Sequence, residues 1–135
     1  MNPTDRLTIG MSMERTIVIT REMTIGYFVP GMPSVYATPM MILDMEMAAG
    51  EAILRALPPG YVSVGMDVKI RHLKATPIGQ MVRIVARVIS IEPKSVLFEV
   101  EAWNESGKIG DGTHRRGVVN VPEFERRLGV QPAHI

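Results

Sequence analysis

The sequence predicts an α+β domain in which a five-stranded antiparallel sheet wraps one long central helix. Residues 39–57 read as a helix that is apolar nearly all round, and such a helix must be enclosed by the rest of the chain. Four period-two segments follow it, joined mostly by short connections, so they pair antiparallel. One further alternating segment precedes it. A single sheet curling around one apolar helix buries both with the fewest elements.

Each element has its own signal. Met11–Arg21 alternates loosely around Thr16-Ile-Val-Ile-Thr20 and reads as the first strand. Tyr27–Pro39 holds Pro30, Gly31, Pro33 and Pro39, and is expected to be a loop that delivers the chain to the helix. Thr38 suits the N-cap and Pro39 the first helical position. Leu57-Pro-Pro-Gly60 ends the helix. Met40, Met41, Met45 and Met47 give it a pliable surface. Beyond it, Val62, Val64, Met66, Val68 and Ile70 alternate with polar residues and glycine, so these five are expected on one buried face. Val82, Ile84, Ala86 and Val88 form the next such set, then Val96, Phe98, Val100 and Ala102. Asn104-Glu-Ser-Gly107 turns into a last strand over roughly 109–121, which Pro122 stops before a short helix at Glu123–Leu128. This is the hotdog architecture, as one domain over residues 1–135. One sheet and one helix leave sheet edges and a side of the helix uncovered, so a homodimer, with pairing into tetramers open, is expected.

Composition narrows the function. A hydrophobic fraction of 46% fits a folded globular chain. A net charge of +1 with 5% aromatics and no basic stripe argues against nucleic acid as a partner. With no cysteine, disulfides, thiolate metal sites and a cysteine nucleophile are excluded. The stretch around Met40–Leu57 carries Asp44, Glu46, Glu51 and Arg55, too many charges to span a bilayer. The first residues lack an apolar signal-peptide core, and the protein is expected in the cytoplasm.

The misplaced charge is Glu46. At about 100° per residue, Asp44, Glu51 and Arg55 cluster on one side of the helix, whereas Glu46 falls roughly 180° from Arg55. A carboxylate on the apolar side is a general base or nucleophile in a dry site, or a group tied to a backbone or arginine partner at a subunit interface. His72 continues the inward parity of its strand. Alone it would read as a satisfied core residue; facing Glu46, it suggests acid–base work. One inward histidine and no cysteine make a metal site unattractive. Thr38 has a sufficient role as a cap, and the helix start around it can also stabilise an oxyanion. Gly65 marks a bulge or a close approach of ligand to backbone. Arg116 either binds a phosphate or carboxylate of the substrate or belongs to a solvated sheet face, as Arg83 and Arg87 do.

Three segments resemble the fluoroacetyl-CoA thioesterase-like family of hotdog thioesterases: Val35-Tyr-Ala-Thr-Pro-Met-Met-Ile-Leu-Asp-Met-Glu-Met-Ala48, Arg71-His-Leu-Lys-Ala-Thr-Pro-Ile-Gly79 and Gly110-Asp-Gly-Thr-His-Arg-Arg116. The resemblance spans about residues 11–128 and implies a dimeric enzyme that hydrolyses a short or small acyl-CoA at its subunit interface. It implies no metal and no cofactor, coenzyme A being part of the substrate. Carried onto this sequence, Thr38, Glu46 and His72 match the family's catalytic threonine, glutamate and histidine, Gly65 matches a glycine lining the acyl site, and Arg116 matches an arginine near it. The family's fluoroacetyl-specific member has phenylalanines in the loop before the threonine. Here that loop reads Val29-Pro-Gly-Met-Pro-Ser-Val-Tyr36, which leaves the acyl group open. Two other functions use the same fold: a non-catalytic acyl-CoA-binding module, and an enoyl-CoA hydratase-type enzyme, for which no Asp/His cluster is found near the helix.

Overall fold

The computed structural model describes residues 1–130, so the last five residues of the expected domain lie outside the described residues. Strand β1 (Ser12–Val18) leads through a single 3₁₀ turn (Arg21–Met23) and a one-turn helix α1 (Ile25–Phe28) to the central helix α2 (Thr38–Leu54). Strands β2 (Tyr61–His72), β3 (Met81–Ile91), β4 (Ser95–Asn104) and β5 (Gly107–Asn120) follow, then helix α3 (Val121–Leu128). All five strands form one sheet in the order β1-β3-β4-β5-β2, every neighbouring pair antiparallel.

The inward sets on β3 and β4 are as expected. Val82, Ile84, Ala86 and Val88 pack with Val96, Phe98, Val100 and Ala102 in the core. Their outward neighbours carry the charges: Arg87 pairs with Glu99 at 3.3 Å, and Arg83 lies 3.6 Å from Glu14 beside the Trp103 ring. A one-turn helix, α1, runs into the start of the expected loop, ahead of its prolines. Tyr36 anchors the end of that loop, donating its backbone N–H to the Thr76 carbonyl at 2.8 Å.

Two expectations about α2 need correction. Ala37, not Thr38, is the N-cap residue, and it offers no side-chain cap. The helix also ends at Leu54 rather than Leu57. Ala56 and Leu57 close i→i+3 turns onto Ile53 and Leu54, and the residue before Pro58 is biased away from helix. The sheet covers the face carrying Met41, Asp44, Met45, Ala48, Ala49 and Ile53. Asp44 is therefore inside, although helical position alone grouped it with the solvated Glu51 and Arg55. Leu43, Met47 and Leu54 are exposed on the other side, which is where Glu46 lies. A helix apolar all round does not specify which face the sheet takes.

The expected alternation of β2 holds only in part. A bulge interrupts its pairing with β5: Gly65 opposes Arg116, and Asp67 opposes Arg115, with Met66 between. One extra residue reverses the parity of a strand. Val68, Ile70 and His72 lie opposite His114, Gly112 and Gly110 and share their face, as expected. Before the bulge that face belongs to Ser63 and Gly65, not to Val62 and Val64. β2 is also an edge strand, and its stretch Gly65–Lys69 is exposed.

Candidate active site

Two clusters form, at different places along α2. At its start, Thr38 Oγ1 lies 2.7 Å from His72 Nδ1, so the hydroxyl expected to cap the helix reaches across to β2 instead. The Tyr36 ring meets the His72 ring edge-on, with centroids 6.4 Å apart. His72 Nε2 is buried without a hydrogen-bond partner among the described residues. Burial pushes the His72 pKa below its ordinary value, with the Lys74 backbone pulling the other way, so the ring is a neutral proton acceptor at physiological pH. Thr38 and His72 open on a cavity of about 450 Å³ walled by Ile25, Met32, Val35, Tyr36 and Leu73.

The second cluster surrounds Glu46, whose side chain is 32% exposed. It lines a cavity of about 480 Å³ between α2 and the first half of β2, together with Leu43, Met47, Gly50, Ser63, Gly65 and Arg116. Gly65 has no room for a side chain while Glu46 keeps this position: a Cβ built there would collide with Glu46 Oε1. The bulge reading of this glycine holds, since the bulge begins beside it, and its missing side chain leaves room for the Glu46 carboxylate. Arg116 does not belong to a solvated sheet face. Its side chain is 12% exposed, and it donates from Nε to Ser63 Oγ (2.7 Å) and from Nη2 to the Ser63 carbonyl (2.8 Å). From Nη1 it reaches His114 Nε2 at 3.1 Å and lies 3.9 Å from Glu46 Oε1. Burial lowers the Arg116 pKa while Glu46 supports the cation.

Within one chain, the imidazole beside Glu46 is therefore not His72. It is His114, fully buried on β5, with Nε2 3.6 Å from Glu46 Oε1. Sequence reasoning did not single out His114, though its parity with Arg116 was readable, because the polar run Gly110–Gly117 looked like an outer face. The Thr38–His72 pair and Glu46 line separate cavities, eight residues apart on α2, or about 12 Å of helix axis.

A five-stranded antiparallel sheet around one central helix defines a hotdog-fold protein. A solved hot-dog-like protein from Thermanaerovibrio acidaminovorans superposes with a TM-score of 0.87 at 22% identity, covering 96% of each chain, which shows the shared fold. The chain belongs to the fluoroacetyl-CoA-specific thioesterase (FlK) family, whose model matches residues 19–122. It is 29% identical over 130 residues to the fluoroacetyl-CoA thioesterase of Streptantibioticus cattleyicolor, covering 92% of this chain and 94% of that one. It superposes on a solved structure of the fluoroacetyl-CoA thioesterase FlK with a TM-score of 0.87 at 29% identity, covering 95% of this chain and all of that one.

Proposed function

We propose that the protein is an acyl-CoA thioesterase whose site is completed across a homodimer, Thr38 and His72 coming from one subunit and Glu46 from the other. The observation that carries this reading is the separation of Thr38–His72 and Glu46 into two open cavities on one chain. Two further features favour a second copy as the missing wall. The groove between α2 and β2 is lined by Leu43, Met47, Leu54, Val62 and Val64, and β2 offers an unpaired edge next to it. An antiparallel copy of α2 would bring each Glu46 toward the other chain's helix start.

In the proposed reaction, Glu46 attacks the thioester carbonyl or activates the water that does. Thr38 orients the reacting group, and the neutral His72 takes up a proton from the attacking water and passes it to the departing coenzyme A thiolate. The C–S bond breaks, a C–O bond forms, and water supplies the hydroxyl of the released acid. The developing oxyanion is held at the helix start, where the Thr38 N–H is the suitable donor: Pro39 has none, and the Met40 N–H donates to the Ala37 carbonyl. This chemistry uses no metal and no cofactor beyond the coenzyme A of the substrate. The loop ahead of Thr38 shapes the acyl pocket with Met32 and Val35, which suits a small apolar acyl group.

Subunit complementation tests both parts. Thr38→Ala and Glu46→Gln homodimers should each be nearly inactive in thiol release from a panel of acyl-CoAs. Randomly mixed dimers should recover about a quarter of wild-type activity, because each heterodimer keeps one intact pair. No recovery from the mixture would place the three residues in one subunit's site. A wild-type protein that binds acyl-CoAs yet releases no thiol would make it a binding module instead.

A further inference from the structure

The basic groups facing the Glu46 carboxylate come from β5, not from its own helix: His114 Nε2 at 3.6 Å and Arg116 Nη1 at 3.9 Å. We infer that His114 is a positioning residue for Glu46, acting through Arg116 and set in place by the bulge in β2; this rests on the thioesterase reading above.

The argument begins with the tautomer. His114 Nδ1 is 2.9 Å from the backbone carbonyl of Asp67, the first paired residue after the bulge. A carbonyl oxygen only accepts, so Nδ1 carries the proton. In the neutral ring, Nε2 is then a bare acceptor, and Arg116 Nη1 donates to it at 3.1 Å. Neutrality follows from the surroundings. His114 is fully buried, and burial lowers its pKa first of all; the Arg116 cation adds to this, while the Asp67 carbonyl, Glu46 and Asp67 oppose it.

The guanidinium is thus fixed at every nitrogen: Nε and Nη2 by Ser63, Nη1 by His114 and, at 3.4 Å, by the Glu46 backbone carbonyl. It packs against Gly50, where a built Cβ would sit 3.5 Å from Nη2. Only Ser63 and the Glu46 carbonyl would hold the guanidinium if His114 lost its acceptor. Arg116 Nη1 is 3.1 Å from Nε2 and 3.9 Å from Glu46 Oε1, so the imidazole acceptor helps fix where the positive charge meets that carboxylate. A proton on Nε2 would reverse this. Its N–H would turn from receiving Arg116 to competing for Glu46 Oε1, 3.6 Å away.

Two substitutions separate this role from packing. His114→Gln places an acceptor near the Nε2 position. His114→Asn places an amide N–H near the Nδ1 position, keeping the Asp67 bond, but leaves Arg116 without its partner. We expect both variants to fold, the Gln variant to keep kcat within about fivefold, and the Asn variant to lose on the order of tenfold to a hundredfold in kcat at little-changed KM, as a misplaced carboxylate would. An Asn variant with wild-type kcat and pH profile, or equal losses in both variants, would overturn the inference. Histidine ¹⁵N NMR of the wild-type protein gives a readout independent of turnover. A protonated Nδ1 with a bare Nε2 on His114 supports the arrangement, and an Nε2–H tautomer refutes it. If the wild type hydrolyses none of the acyl-CoAs tried, the thioesterase reading fails, and the NMR result still decides the arrangement.

Discussion

Tyr36 and Asp44 share a buried hydrogen bond, donated by the phenol to the carboxyl, at the point where the loop enters α2. Burial raises the Asp44 pKa above its ordinary value, against the opposing effects of the Tyr36 bond and Arg15. Burial also raises that of Tyr36, and Asp44 adds to it. The pair is costly to leave half made. Tyr36→Phe strands the carboxyl and should destabilise the fold by about 1–3 kcal/mol, read from urea unfolding; an unchanged midpoint would show that Asp44 finds another partner. The histidines predict a pH dependence. His72 and His114 both have folded pKa values below the ordinary 6.5. Their contribution to stability is therefore fully present above pH 6.5 and is lost as pH falls through their folded values. Melting temperature should drop on acidification below that point, less steeply in His114→Gln; identical slopes would remove His114 as a contributor.

At the level of elements, the bulged strand and the central helix are matched to each other. The bulge reverses β2 so that Gly65 clears Glu46 in one half and His72 reaches Thr38 in the other. Gly65→Ala should stay folded, since its Cβ meets the movable end of Glu46 and lies 3.3 Å from His114 Cε1. Displacing the carboxylate should cost on the order of a hundredfold in kcat/KM. An active Gly65→Ala enzyme would show that Glu46 tolerates another position. Helix α3 is an ordinary surface helix by comparison: the Asn120 side chain accepts from the Glu123 N–H at 3.1 Å, and Gly129 ends it in the left-handed conformation at φ 70°.

For the whole molecule, the proposed dimer rests on the open side of α2. Leu43, Met47 and Leu54 are between 42% and 51% exposed, on the same side as Glu46. If the proposed dimer forms through this face, Met47→Asp should leave a folded chain by circular dichroism, sediment as a monomer where the wild type sediments as a dimer, and abolish thiol release with it. A Met47→Asp protein that remains dimeric and active would put the subunit contact elsewhere. No helix among the described residues is long and apolar enough to cross a membrane.

Local patterns carried much of this architecture. The period-two sets on β3 and β4, the start of the helix at Thr38-Pro39, and the turn into β5 are each written in neighbouring residues, because alternation and backbone restriction act over a few positions. The candidate residues Thr38, Glu46, His72 and Gly65 stood out the same way, as polar or missing side chains in apolar surroundings, whereas Arg116 sits in a polar run that reads equally as an outer face. Other features were settled only in three dimensions. Which face of an all-apolar helix is covered depends on where the sheet curls, and that put Asp44 inside and Glu46 on the open side. Parity across the bulge depends on the pairing of β2 with β5, and that moved the inward face to Ser63 and Gly65. The partners of His114 come from β2, β5 and α2 at once, and no spacing along the chain records such a meeting.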